Sequence, residues 1–171
     1  MPQVSELTYQ VVAYTEVPIF DTNVCVDWAF DMVSLGFDTP SVLMLAGLDK
    51  PTNYFQTIEY LKVALRELNI EPKFGDEAVI SYSSYFIAQI VKGQNIKENL
   101  KEVYKFCQAK DYEGLIYDFY LLYWAWDDLD YGQDTQPYLD GATKDNIEAI
   151  VINTAEWWLK ANSEYYAQHQ L

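Results

Sequence analysis

Histidine is nearly missing from this chain. Its one copy, His169, stands close to the end of the 171 residues. With this single histidine near the end, a His-based acid/base pair, a Ser-His-Asp triad and a His-bearing zinc centre are not expected. Cysteine is scarce too. Cys25 and Cys107 lie far apart on apolar helical stretches and form no metal or redox spacing, so they are expected to be buried, reduced thiols. No glycine-rich phosphate loop or nucleophile elbow occurs. No cofactor and no catalytic residue is therefore assigned. Basic residues number 11 against 26 acidic ones, a net charge of −15. That balance argues against nucleic acid or an anionic membrane as a partner. No apolar run approaches a membrane span, and no basic segment leads into an apolar one at the start. A cytoplasmic location is the expectation.

Half of the residues are hydrophobic and 16% are aromatic, including 15 Tyr and 5 Trp. That is ample for one folded domain with a real core and too apolar for disorder. The best-punctuated stretch is Val24 to Ile70. Asp21, Thr22 and Asn23 suit an N-cap. Val24, Trp28, Met32 and Leu35 follow at helical spacing, and Gly36 suits the left-handed closing position. Asp38 or Thr39 caps a short helix that starts at Pro40 and is closed by Gly47. A turn and cap at Asp49–Thr52 precedes a third helix. It shows Tyr54, Ile58, Leu61, Leu65 and Leu68 on one face and Glu59, Lys62 and Arg66 on the other.

Four more helices are read downstream. One runs from about Asp76 to Lys92, with a stripe of Val79, Tyr82, Phe86 and Ile90 and the small residues Ala78, Ser81, Ser84 and Ala88. The next, about Asn95 to Ala109, buries Ile96, Leu100, Val103 and Cys107 and shows Lys97, Lys101 and Lys105 beside Glu98 and Glu102 outside. The sixth, about Tyr112 to Leu129, is apolar nearly all round, with Leu115, Phe119, Leu122 and Trp126 on one stripe, which predicts a central position. The last runs from about Thr143 to Tyr166. Residues 1–20 read as an extended arm laid on the helices, because a lone strand at TYQVVAY would lack a partner. The expected fold is all-α: a 1–20 arm and a 21–171 single-domain antiparallel bundle of six to seven helices, with the sixth in the middle.

The segment Trp28-Ala29, Gly36-Phe37-Asp38-Thr39-Pro40 and Leu45-Ala46-Gly47-Leu48 resembles a pattern in small, uncharacterised bacterial helical proteins. The match is made of caps and core residues. It implies a bacterial, mostly helical domain and carries no catalytic residues to transfer.

Two constellations remain. Asp27 and Asp31 lie four apart on one helix, and Asp118, Asp127, Asp128 and Asp130 lie on or just after the sixth. Converging carboxylates can hold Mg²⁺, but helical di-metal sites use Glu-x-x-His pairs, absent here, and Asp127 to Asp134 lacks a calcium loop's final Glu. No metal is assigned. The stronger feature is compositional. Between Asp111 and Asp145, acids far outnumber the single base, Lys144, and alternate with Tyr and Trp. Such a face suits a basic protein partner, aromatics supplying area and carboxylates steering; the plain alternative is core aromatics beside solvated acids. The expected binding residues are Tyr123, Trp126, Asp127, Asp128, Asp130 and Tyr131. The expected function is a non-catalytic binding domain, such as an immunity- or antitoxin-like inhibitor or an adaptor. A carboxylate-based enzyme and an aromatic-pocket binder are the alternatives. Trp157 and Trp158 point about 100° apart on a helix. This is compatible with a homo-oligomer covering one of them.

Overall fold

The computed structural model describes residues 3–132 and 134–162. Its elements are α1 (Thr8–Val11), α2 (Asn23–Ser34), α3 (Pro40–Ala46), α4 (Tyr54–Glu67), α5 (Gly75–Val91), α6 (Ile96–Ala109), α7 (Tyr117–Asp130) and α8 (Ile147–Ala161). A 3-10 turn, Gly114–Ile116, precedes α7, and no strand occurs among the described residues. By contacts the chain forms two compact units, one within Met1–Tyr82 and one within Ser83–Ser163. Helix α5 starts in the first and ends in the second. No helix among the described residues is long and apolar enough to cross a membrane.

Four helices stop in the same way. After α2, Gly36 takes φ +94° and Phe37 N–H donates back to Met32 O at 2.9 Å. Asn69 (φ +56°), Gly93 (φ +72°) and Asp111 (φ +54°) hold the matching position after α4, α5 and α6. There Ile70, Gln94 and Tyr112 donate to Leu65, Gln89 and Cys107 carbonyls at 2.8, 3.0 and 2.8 Å. Each closure satisfies carbonyls that a helix end leaves without partners.

The core of the first unit is set by Trp28 and Met32, both fully buried on α2. Against them lies the N-terminal segment, which is not extended as expected. Residues 8–11 form α1, and turns continue the coil, with Thr8 N–H on Ser5 O at 3.0 Å and Glu16 N–H on Ala13 O at 3.0 Å. The coil satisfies the backbone locally, where an unpaired strand would leave it bare. Val11, Val12 and Ala13 are fully buried, Trp28 Nε1 donates to Thr8 Oγ1 at 3.0 Å, and Ser81 Oγ donates to Tyr9 O at 2.8 Å. Helix α3 packs between α2 and α4. Its start is held by Glu67 of α4, whose carboxylate accepts from Ser41 N–H at 3.1 Å and Ser41 Oγ at 2.9 Å. The cap of α4 is Asn53, accepting from Gln56 N–H at 3.0 Å, rather than the preceding Asp49–Thr52 turn.

In the second unit α7 packs on α6 and α8. Leu100, Val103 and Cys107 are buried on α6, Phe119, Leu122, Ala125 and Leu129 on α7, and Ile147, Val151 and Ala155 on α8. Helix α7 is not wrapped all round as expected. One side is buried, and Tyr117 and Asp118 of its first turn are exposed. It also begins five residues late. Asp111 and Tyr112 both adopt positive φ, and Glu113 then caps the 3-10 turn by accepting from Leu115 N–H at 3.2 Å. Helix α8 begins late as well, because the Asn146 side chain closes a turn, accepting from Thr143 N–H at 2.7 Å and donating to Gly141 O at 2.9 Å.

Candidate functional site

Helices α6 and α7 share a face made of tyrosines. Tyr104, midway along α6, lays its ring on Tyr123 (centroids 4.3 Å, planes 19° apart) and on Tyr120 (5.3 Å, 27°). Its edge meets Trp124 at 5.6 Å. Tyr120 stacks on Tyr117 at 5.5 Å and meets Tyr112 edge-on at 5.3 Å, while Trp124 lies over Tyr138 at 6.4 Å. The i, i+3 spacing of Tyr117, Tyr120 and Tyr123 makes a row along α7, and Tyr104 of α6 lies against it. Tyr112 and Tyr117 are exposed, and Tyr104, Tyr120, Tyr123, Trp124 and Tyr138 are half-buried. Partial burial pushes the Tyr104 phenol above its ordinary value, with Tyr120, Tyr123 and Tyr112 adding to the shift. The same burial raises Tyr123, helped by Asp127 and opposed by Lys97.

One end of the row is charged. Lys97, two helical turns before Tyr104 on the same side of α6, pairs with Asp130 at 2.6 Å and with Asp127 at 3.4 Å. Burial works against the charge on Lys97, but the two carboxylates outweigh it and hold the ammonium above its usual range. Of the residues expected from sequence, Tyr123, Asp127 and Asp130 therefore stand on one face. Tyr131 follows at the end of the helix, 82% exposed. Trp126 falls on the side of Leu122 and Leu129, and Asp128 is turned about 100° from Asp127; both are half-buried. The sequence reading missed Tyr104 and Lys97, because neither stands out on α6 until its neighbour is known. By sequence spacing Lys97 falls with Lys101 and Lys105 on the outer face of α6. Only Lys105 keeps a local pair there, with Glu102 at 2.9 Å.

Two of the other carboxylate candidates hold local contacts. Asp27 pairs with Lys50, and Asp31 accepts from Ser5 Oγ at 2.7 Å. Among the described residues no group of His, Cys, Asp and Glu is arranged to hold a metal ion. Both thiols are free and buried. Burial, with Asp21 nearby, pushes Cys25 up to about 12, and burial with Glu113 pushes Cys107 up to about 11. Neither is a thiolate at neutral pH. His169 lies outside the described residues. The tryptophan pair divides as its spacing requires. Trp158 turns inward, its Nε1 donating to Leu115 O at 2.8 Å and its ring meeting Phe119 edge-on at 6.2 Å. Trp157 is 75% exposed.

No family model, no curated protein and no solved structure matches the chain.

Proposed function

We propose that the chain is a non-catalytic binding domain, an immunity- or antitoxin-like inhibitor or an adaptor, that takes a basic protein partner on the tyrosine face of α6 and α7. The observation that carries this reading is the stack of Tyr104, Tyr120 and Tyr123, whose rings are held in place and still half open to solvent. Rings already fixed lose little freedom on binding. Their faces attract guanidinium and ammonium groups within about 6 Å of the ring centre. The net charge of −15 speeds the approach of a basic partner and discourages acidic ones.

In this reading the domain works in the bacterial cytoplasm, and exposed Trp157 offers a contact to a second copy. Light scattering that finds a monomer at every concentration removes that contact. The main test is a pull-down from native lysate at low and high salt, with the wild-type chain and with Tyr120→Ser. A basic protein held by the wild type, weakened by salt and lost from the variant supports the reading. Equal retention by both chains sinks it.

A further inference from the structure

At the C-terminal end of α4 the first unit is indented by a cleft of about 470 Å³. Its floor is apolar: Tyr14, Leu65 and Ile70 line it, each less than a tenth exposed. Its rim carries Lys62, Arg66, Asn69 and Glu71. The volume is that of a small-molecule site, and an apolar floor with a few polar groups is the usual composition of one. The walls are tied by backbone. Ile70 N–H donates to Leu65 O at 2.8 Å, and Lys73 N–H donates to Val12 O at 2.8 Å, drawing the chain after α4 against the N-terminal segment that carries Tyr14. A ligand therefore meets a preformed surface.

Arg66 is the one arginine in the sequence, in a chain of net charge −15. Among the described residues it forms no ion pair. The nearest carboxylates along α4 are engaged elsewhere: Glu67 holds the start of α3 through Ser41, and Glu59 holds Lys62 at 2.7 Å. A cation in the last turn of a helix is favoured by the helix dipole. That accounts for Arg66 on α4 but not for the apolar cleft beside it.

We propose that this cleft binds a small monocarboxylate with an apolar body. The carboxylate takes the planar fork of Arg66 in a bidentate pair, the arrangement for which guanidinium is best suited. The Asn69 amide and the Lys62 ammonium stand on the same rim, and the apolar body lies over Leu65, Ile70 and the Tyr14 ring. Glu71 on the rim, together with the charge of the whole chain, disfavours a dianionic phosphate. The site draws only on the first unit and does not depend on the tyrosine face of α6 and α7.

The test is a titration of the ¹⁵N-labelled full chain with benzoate, with phenyl phosphate and neutral benzyl alcohol as comparisons. Saturable shifts of the amides from Leu65 to Glu71 with benzoate are expected, with weaker effects from the other two compounds. Arg66→Gln changes an exposed side chain and should leave the rest of the spectrum in place while weakening benzoate about tenfold. Arg66→Lys, which keeps the charge and loses the fork, should fall between. No saturable shift with benzoate, shifts centred elsewhere, equal binding of benzyl alcohol, or undiminished binding by Arg66→Gln each overturns the proposal. Tighter binding of phenyl phosphate than of benzoate overturns the carboxylate assignment.

Discussion

The indole of Trp28 is closed to water, and its one polar atom is satisfied by the hydroxyl of Thr8, itself buried. Removing that acceptor strands a buried donor. Thr8→Val should therefore lower stability by about 1–3 kcal/mol in urea unfolding, while Thr8→Ser, which keeps the oxygen, should lose less. An unchanged Thr8→Val transition would show that the bond is not needed. The two thiols make a second expectation at this scale. With Cys25 raised to about 12 and Cys107 to about 11, both should resist a thiol-reactive disulfide reagent at neutral pH and react once urea unfolds the chain. Trp28 and Met32 were readable as core from their spacing alone. Thr8 was not, because its role is defined by a residue twenty positions away that no local pattern points to.

At the scale of elements, helix ends were the most readable features where glycine or proline marks them. Gly36 and Pro40 act as expected, since few residues suit those backbone positions. Closures by Asn69 and Asp111 were harder to see, and the helical coil of residues 8–11 was invisible because one turn has no periodicity to detect. The Glu67 clamp on α3 is tertiary and left no trace in sequence. The nearby Thr39 hydroxyl and the hydrogen bonds from Ser41 hold the Glu67 carboxyl below its ordinary value of 4.5. A carboxyl lowered in the folded state stabilises it fully above the ordinary value, and this is lost as pH falls through the lower folded value. The wild type should therefore be more stable than Glu67→Gln near neutral pH, and the gap should close in acid. A gap that does not change with pH would assign the effect to shape rather than charge.

For the whole molecule, the sequence shows acids interleaved with aromatics between Asp111 and Asp145 but not which helix packs against them. Only the pairing of α6 with α7 places Tyr104 on Tyr123 and Lys97 between Asp127 and Asp130. Tyr104 and Tyr123 have raised values in the folded state, so their contribution to stability is full below about 10 and is lost as pH rises through the higher folded values. Phenolate absorbance should show a late-titrating component that shrinks in Tyr104→Phe and in Tyr123→Phe; an unchanged profile would mean that the stack leaves the phenols as free as in solution. Replacing Lys97 by Met frees both carboxylates and lowers the net charge from −15 to −16. Capture of a basic partner by that variant should become more salt-sensitive.

If the tyrosine face takes a basic partner as proposed, Lys97 is an internal competitor. A tethered ammonium is present at a high effective concentration beside its two carboxylates, so a single free cation gains little by taking its place. A ligand that grips the rings and the acids together can displace it, because several contacts are exchanged for one. On that reading the face would be insulated from small monovalent cations and open to a multivalent one.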